Sequence, residues 1–311
     1  MSLRARARAL TLARARVSAF SIQPSGQLVR FASTSAPREH VSPTGADTTS
    51  ILRSSSSSTE IFLVGTAHVS EKSALEVRDL VRASKPSVVV VELCEERLRT
   101  IREKIEGERR GIKDSRGRDG TSEFVRRAVG DFLGAFAPGK GANVADGLLG
   151  AAMKTFYGFF KLSGLEPGAE FKEAVREADA CGAKVVCADR DVRETLSRLR
   201  ESVTFQDVMS IVSGYVRPGG PEPPAGIDGA DIERVVENLK TRRNVRQMRE
   251  YLAYQLPKVS RVFVDERDEI MTEALLRCRG DRIVAVVGMA HMDGIESRWE
   301  EAQRRLRLKN R

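Results

Sequence analysis

Two histidines close matching stretches of the chain. Ile61-Phe62-Leu63-Val64-Gly65-Thr66-Ala67-His68 is an apolar run, a glycine and, three residues on, a histidine. Ile283-Val284-Ala285-Val286-Val287-Gly288-Met289-Ala290-His291 repeats the pattern near the other end. The chain has three histidines, and the third, His40, lies in a segment read below as a removable leader. Carboxylates occupy comparable places: Glu92 follows Val88-Val89-Val90-Val91, and Asp189 with Arg190 follows Lys184-Val185-Val186-Cys187-Ala188. Two imidazoles plus carboxylates at one rim suit a divalent metal ion held by a pair of histidines and a carboxylate. Gly65 and Gly288 have a physical reason to precede the histidines. Glycine allows a tight turn off a strand and a close approach of backbone to a ligand or metal.

These groups share a site only if the elements beneath them converge. The apolar runs predict strands at 60–65, 88–93, 184–188 and 282–287, and β-branched residues on both faces mark strands buried in a parallel sheet. Helical spacing at 70–82 between the first two strands makes a βαβ unit. Further helices are expected at 95–106, at 122–163 as one or two, from an opening at 167–171 to an end at Gly182, and at 192–201, 204–215, 231–254 and 261–278, with a charged terminal helix from 294. Ligands of open α/β sheets bind beyond the carboxyl ends of the strands. Here four strand ends each deliver polar chemistry: His68, Glu92, Asp189 with Arg190, and His291. Glu170, Arg267 and Asp268, on helices, complete the candidate set.

Each residue also has a plainer reading. A histidine after a strand is commonly a hydrogen-bonded loop residue, and it is the matched pair that favours a shared site. Glu92 could cap the next helix, Asp189 and Arg190 could be a local ion pair, and Arg267 could pair with Asp268 or a neighbouring helix. The macrodipole alone favours Glu170 in a first turn.

The formal charge of +9 is concentrated at the start. Residues 1–38 hold seven arginines and no acid, so subtracting them leaves +2 for the remainder, which argues against nucleic-acid binding. That start reads as an organellar transit peptide, with Leu3, Leu10, Leu12, Val17 and Phe20 on one face of an amphipathic helix and a cut near Phe31. Early arginine density favours a mitochondrial over a chloroplast destination. The expected organisation is a leader and linker at 1–50 and an α/β domain at 51–311, with a helical insertion at about 95–163 and a loop at 217–231. The serine run 54–58 reads as a flexible lead into the domain. No apolar run approaches the ~18 residues of a membrane span. The apolar face of 148–160 suits a core or lid helix better than peripheral membrane contact. Cys94, Cys181, Cys187 and Cys278 show no Cys-x-x-Cys spacing and read as small core residues or reduced thiols. There is no Gly-x-Ser-x-Gly elbow, Walker A loop, Gly-x-Gly-x-x-Gly or His-Glu-x-x-His motif.

Taken together, Ile61–His68, Val88–Leu93, Pro167–Phe171, Ala188-Asp189-Arg190, Glu266-Arg267-Asp268 and Val287–His291 resemble the successive motifs of the TraB/PrgY/GumN family. The resemblance covers about residues 59–300 and extends distantly to the Tiki metalloproteases and to the erythromycin esterase and haem-binding ChaN folds. It implies an EreA/ChaN-like α/β fold: a mostly parallel central sheet with helices on both faces. It also implies a site built on His68, Glu92, Glu170 and His291, with Asp189, Arg190, Arg267 and Asp268 around it. Through the Tiki branch it implies metal-dependent peptide cleavage. In that scheme His68 and His291 are ligands, Glu92 or Glu170 is ligand or general base, and Arg190 or Arg267 steadies the oxyanion. The alternative is a non-enzymatic regulator or adaptor binding a peptide or other small molecule, or haem. Some relatives carry carboxyl-terminal apolar spans; the polar stretch 304–311 does not resemble one.

Overall fold

A computed structural model of the chain describes residues 19–22, 28–31, 48–66, 71–111, 168–204, 206–207, 210, 213, 215–222 and 241–309. The chain divides into two units, Met1–Ser50 and Ile51–Arg311. In the first, β1 (Ala19–Ile22) pairs antiparallel with β2 (Leu28–Phe31). Phe20 therefore lies in a strand and not in the helix expected of it. The β-forming residues Phe20, Ile22, Val29 and Phe31 flank a stretch containing Pro24 and Gly26, a composition that favours a hairpin.

The rest is an α/β fold around five strands: β3 (Thr49–Arg53), β4 (Glu60–Thr66), β5 (Val88–Val91), β6 (Lys184–Cys187) and β7 (Arg282–Gly288). Their order is β3-β4-β7-β5-β6. The β4–β7, β7–β5 and β5–β6 pairs are parallel. Residues 54–59 alone join β3 to β4, too few for a parallel crossover, so that pair is antiparallel and the sheet is mixed.

Central position explains composition. β7 lies between β4 and β5, and Ile283 to Val287 are buried without exception. Ile283, Ala285 and Val287 face one layer; Val284 and Val286 face the other. The second layer holds α1 (Glu71–Ser84), α2 (Glu95–Arg109) and α3 (Ala169–Cys181), through Val77, Val81, Leu98, Ile101, Phe171 and Val175. The first holds α7 (Glu266–Arg277) and α8 (Met289–Lys309), through Met271, Leu275, Met292, Ile295 and Trp299. Each such side chain contributes about 1.5–3 kcal/mol on burial. The remaining helices are α4 (Val192–Ser202), α5 (Arg242–Gln255) and α6 (Pro257–Ser260). A π-helical turn, Arg261–Asp265, joins α6 to α7 without a break.

Several expectations change. β3 was not expected, and the serine run is its connection to β4, where Ser55 N and Oγ donate to Gln303 Oε1 at 2.8 and 2.9 Å. Its flexibility is thus replaced by anchoring to α8. The start of the proposed insertion is α2, which packs in the core; residues 112–163 lie outside the described residues. β6 is an edge strand and only half-buried, since its valines lack a second neighbouring strand. Residues 217–222 of the expected loop are exposed, and 223–231 lie outside the described residues. No helix among the described residues is long and apolar enough to cross a membrane. Cys94, Cys181, Cys187 and Cys278 are free, and burial pushes the Cys187 thiol up to about 12.

Candidate active site

Register brings the two glycine–histidine stretches together. β4 and β7 are neighbours, Gly65 stands opposite Val287, and Thr66, the last residue of β4, stands opposite Gly288. His68 follows two residues later and lies outside the described residues. On the other side Val91 stands opposite Val286 and Cys187, so Glu92 and Asp189 arrive at the same edge. The amino termini of α2, α4 and α8 lie there too, because each follows a parallel strand. Their positive dipole ends favour carboxylates.

Glu92 is fully buried and continues the ladder with its side chain. Its backbone N–H donates to Val286 O, and its Oε2 accepts from Gly288 N at 2.5 Å. Its Oε1 accepts from Arg267 Nη2. Arg267, also fully buried, forks onto Asp189, with Nε to Oδ1 at 3.0 Å and Nη2 to Oδ2 at 2.9 Å. Burial pushes the Arg267 guanidinium down, but Asp189 and Glu92 outweigh it and hold it above its ordinary value. Arg97, in the first turn of α2, lies 3.7 Å from Asp189 Oδ2 and donates to Glu92 O at 3.4 Å.

The π-helical turn supplies carbonyls to this layer. A π turn widens the helix and re-aims backbone groups, and such turns are frequent at functional sites. Val262 O accepts from Arg190 Nη2 at 2.6 Å and Phe263 O from Arg267 Nη1 at 3.3 Å. Arg190 also donates to Thr195 Oγ1 at 3.0 Å and to Glu266 Oε2 at 2.7 Å. It thus braces α4 against the helix carrying Arg267.

His291 sits in the first turn of α8, since β7 passes directly into the helix at Met289, five residues earlier than expected. The helix turn, and not a loop, aims the ring. Nδ1 lies 2.7 Å from Asp268 Oδ1, and Nε2 lies 3.4 Å from Glu92 Oε1. Burial pushes the imidazole down, but Glu92 and the Asp268 hydrogen bond hold it above its ordinary value. Asp268 Oδ2 in turn accepts from Arg249 Nη2 at 2.9 Å. Gly294 makes room for that carboxylate: a Cβ there would stand 1.7 Å from Asp268 Oδ2. Gly65 serves a similar packing need, because a Cβ on it would stand 2.1 Å from Met292 Sδ. Its service is therefore to the start of α8, close above β4.

Glu170 is buried in the first turn of α3, with its carboxylate folded against Gly168, where a Cβ would stand 2.2 Å from Oε2. The network therefore gathers Glu92, Asp189, Arg267, Asp268 and His291, braced by Arg190 and by the backbone of Gly288. Sequence reading missed Arg97, Arg249 and Gly294. Arg97 was legible as an arginine one turn beyond a strand-end glutamate; Arg249 lies on a helix with no strand end to mark it.

The ring and its carboxylate suit metal ligation. Asp268 fixes Nδ1, the arrangement by which a second ring nitrogen is presented to a metal. Two donors about 2.0–2.1 Å from one tetrahedral ion stand roughly 3.3 Å apart, close to the Nε2–Oε1 separation. Arg267 on the same oxygen works against a cation there. Among the described residues no group of three His, Cys, Asp or Glu side chains is placed to hold a metal. A groove of about 920 Å3 lies at the other end of β4, between the 54–59 connection, α7 and α8, and His291, Glu92 and Arg267 do not line it.

Comparison with known proteins agrees with the motifs. A family model described as the TraB/PrgY/gumN family matches residues 51–125, which span β4, α1 and β5. An uncharacterized protein of Methanocaldococcus jannaschii is 29% identical over 238 residues, 76% of this chain and 52% of its own length. The TraB domain-containing protein of Mus musculus is 27% identical over 264 residues, 77% of this chain and 62% of its own length. That of Homo sapiens is 26% identical over the same length. The chain thus spans between half and two thirds of the relatives it matches. With the family model on its first strands and these relatives over three quarters of its length, the chain is similar to the TraB/PrgY/gumN family.

Proposed function

We propose that the chain is a metal-dependent hydrolase that cleaves a peptide bond at the edge where β4 and β7 end. The observation that carries the proposal is the buried series Arg249–Asp268–His291–Glu92–Arg267 beside the end of β4. His291 Nε2 would be one donor to a divalent ion, Glu92 Oε1 a second once Arg267 turns from it to Asp189, and His68, outside the described residues, a third. A bound ion supplies Lewis acidity to the carbonyl under attack. Asp268 keeps the proton on Nδ1 and leaves Nε2 to act as a donor. Arg267 neutralises Glu92 and Asp189 and would be the cation to steady a developing oxyanion, whereas Arg190 is committed to Glu266, Thr195 and Val262 O and acts as a brace. Glu92 acts as base only by releasing Arg267 or the Gly288 N–H. The peptide bond is the substrate class implied by the resemblance to the Tiki branch.

The test is cleavage of a peptide library by the full chain with zinc or manganese offered, beside His291→Ala and Glu92→Gln. Cleavage lost in both variants supports the reading; cleavage equal in all three contradicts it. One observation favours a second reading, a regulator that binds a peptide without cutting it: His291 is 1% exposed, with its ring nitrogens facing Asp268 and Glu92. Peptide capture that survives His291→Ala, with no cleavage by wild type, would support that reading.

A further inference from the structure

His291, Glu92, Asp268 and Arg267 are each 1% exposed or less. Groups sealed to that degree meet a ligand only after something over them moves. α5 is held unlike the other helices near the site. Of its 14 residues only Val245 is buried, whereas α3 buries six, α7 five and α8 seven. Its fastening is ionic instead. Arg242, Arg246 and Arg249 recur at the spacing that puts them on one helix face. Arg242 donates to Asp293 Oδ1 at 2.6 Å and to Glu296 Oε2. Arg246 donates to Asp293 Oδ2 at 2.7 Å and to Oδ1 at 3.0 Å. Arg249 donates to Ala290 O at 2.5 Å and to Asp268 Oδ2 at 2.9 Å. All three land on the first two turns of α8 or on the carboxylate that holds His291. Segments with few buried apolar contacts open at the low end of the local stability range.

We propose that α5 is a strap clasped over the His291 site, which lifts as a unit to admit ligand. Arg249 ties the position of the strap to Asp268 and so to the ring. This rests on the reading of His291 as the working group, and its test does not use activity. The full chain is compared with Arg246→Gln and Arg242→Gln/Arg246→Gln, which spare Arg249. Two signals are read by peptide mass spectrometry: backbone hydrogen exchange, and modification of His291 by diethyl pyrocarbonate. In wild type, α5 amides exchange faster than those of α7 and β7. In the double variant, α5 exchange and His291 modification rise together, roughly five- to tenfold, while β7 amides stay protected. α5 as protected as α7 in wild type, or α5 exchange that rises while His291 modification does not, overturns the proposal. Should β7 protection also fall in the variants, a salt series on wild type decides. The same paired rise is expected between about 0.05 and 0.5 M NaCl, and its absence overturns the strap.

Discussion

At His291 two carboxylates compete with burial for control of one proton. Burial opposes the charged ring; Glu92 and Asp268 favour it and prevail. Because the folded value is raised, the stabilisation is complete below about pH 6.5, the ordinary histidine value, and is lost as pH climbs through the folded value. Urea midpoints taken from about pH 6 to 9 should fall more steeply for wild type than for Asp268→Asn; parallel curves would refute the assignment. Glu266 works in the opposite sense. Arg198, and then Arg190, hold its carboxyl down to about 2. Its contribution is present above about pH 4.5 and is lost as pH falls toward 2, so Glu266→Gln should flatten the acid limb of the stability profile. Arg267 carries the larger penalty. Arg267→Ala would leave Glu92 and Asp189 buried without their shared cation, a loss of about 3–5 kcal/mol measurable by chemical denaturation.

Among the elements, the junction of β4 with α8 constrains the site most. Gly65 lets the first turns of α8 lie on β4, with Met292 Sδ and Met289 Cα 2.1 and 3.1 Å from a hypothetical Cβ. Gly65→Ala should cost about 1–3 kcal/mol by overpacking. In a double-mutant cycle, Met292→Ala should recover part of that loss; simple additivity would show that the two do not meet. Legibility in sequence followed the elements. Strands β4, β5 and β7 were readable because unbroken apolar runs, largely buried on both faces, leave little ambiguity. β3, Thr-Ser-Ile-Leu-Arg, was not, because its role as an edge partner is set by pairing with β4 and not by its own pattern. The start of α8 was placed too late because Gly288 was read as a turn off the strand toward a ligand, whereas β7 passes straight into the helix and the Gly288 N–H goes to Glu92. Arg267 and Asp268 were found as candidates, but the split of their work was not. Asp189 and Asp268 are 79 residues apart in sequence, and the π-helical turn that aims Arg267 leaves no mark in composition.

Across the whole molecule the chemistry follows from strand order. β4 and β7 are the first and last parallel strands in the chain yet lie side by side, so stretches more than 200 residues apart end at one edge. Glu92 and Asp189 arrive from the other side of β7 by the same topology. The basic charge belongs largely to the first 38 residues, and the expectation that they form an organellar leader stands as a proposal. It predicts mitochondrial import of a reporter fused to residues 1–50, and a cytosolic reporter would count against it. The central claim is that the two glycine–histidine strand ends form one metal site. The most direct measurement is the bound-metal content of the full chain after zinc is offered, beside His68→Ala and His291→Ala. About one ion per chain in wild type, lost in either variant, is the expected result. An ion content unchanged by both substitutions would contradict it.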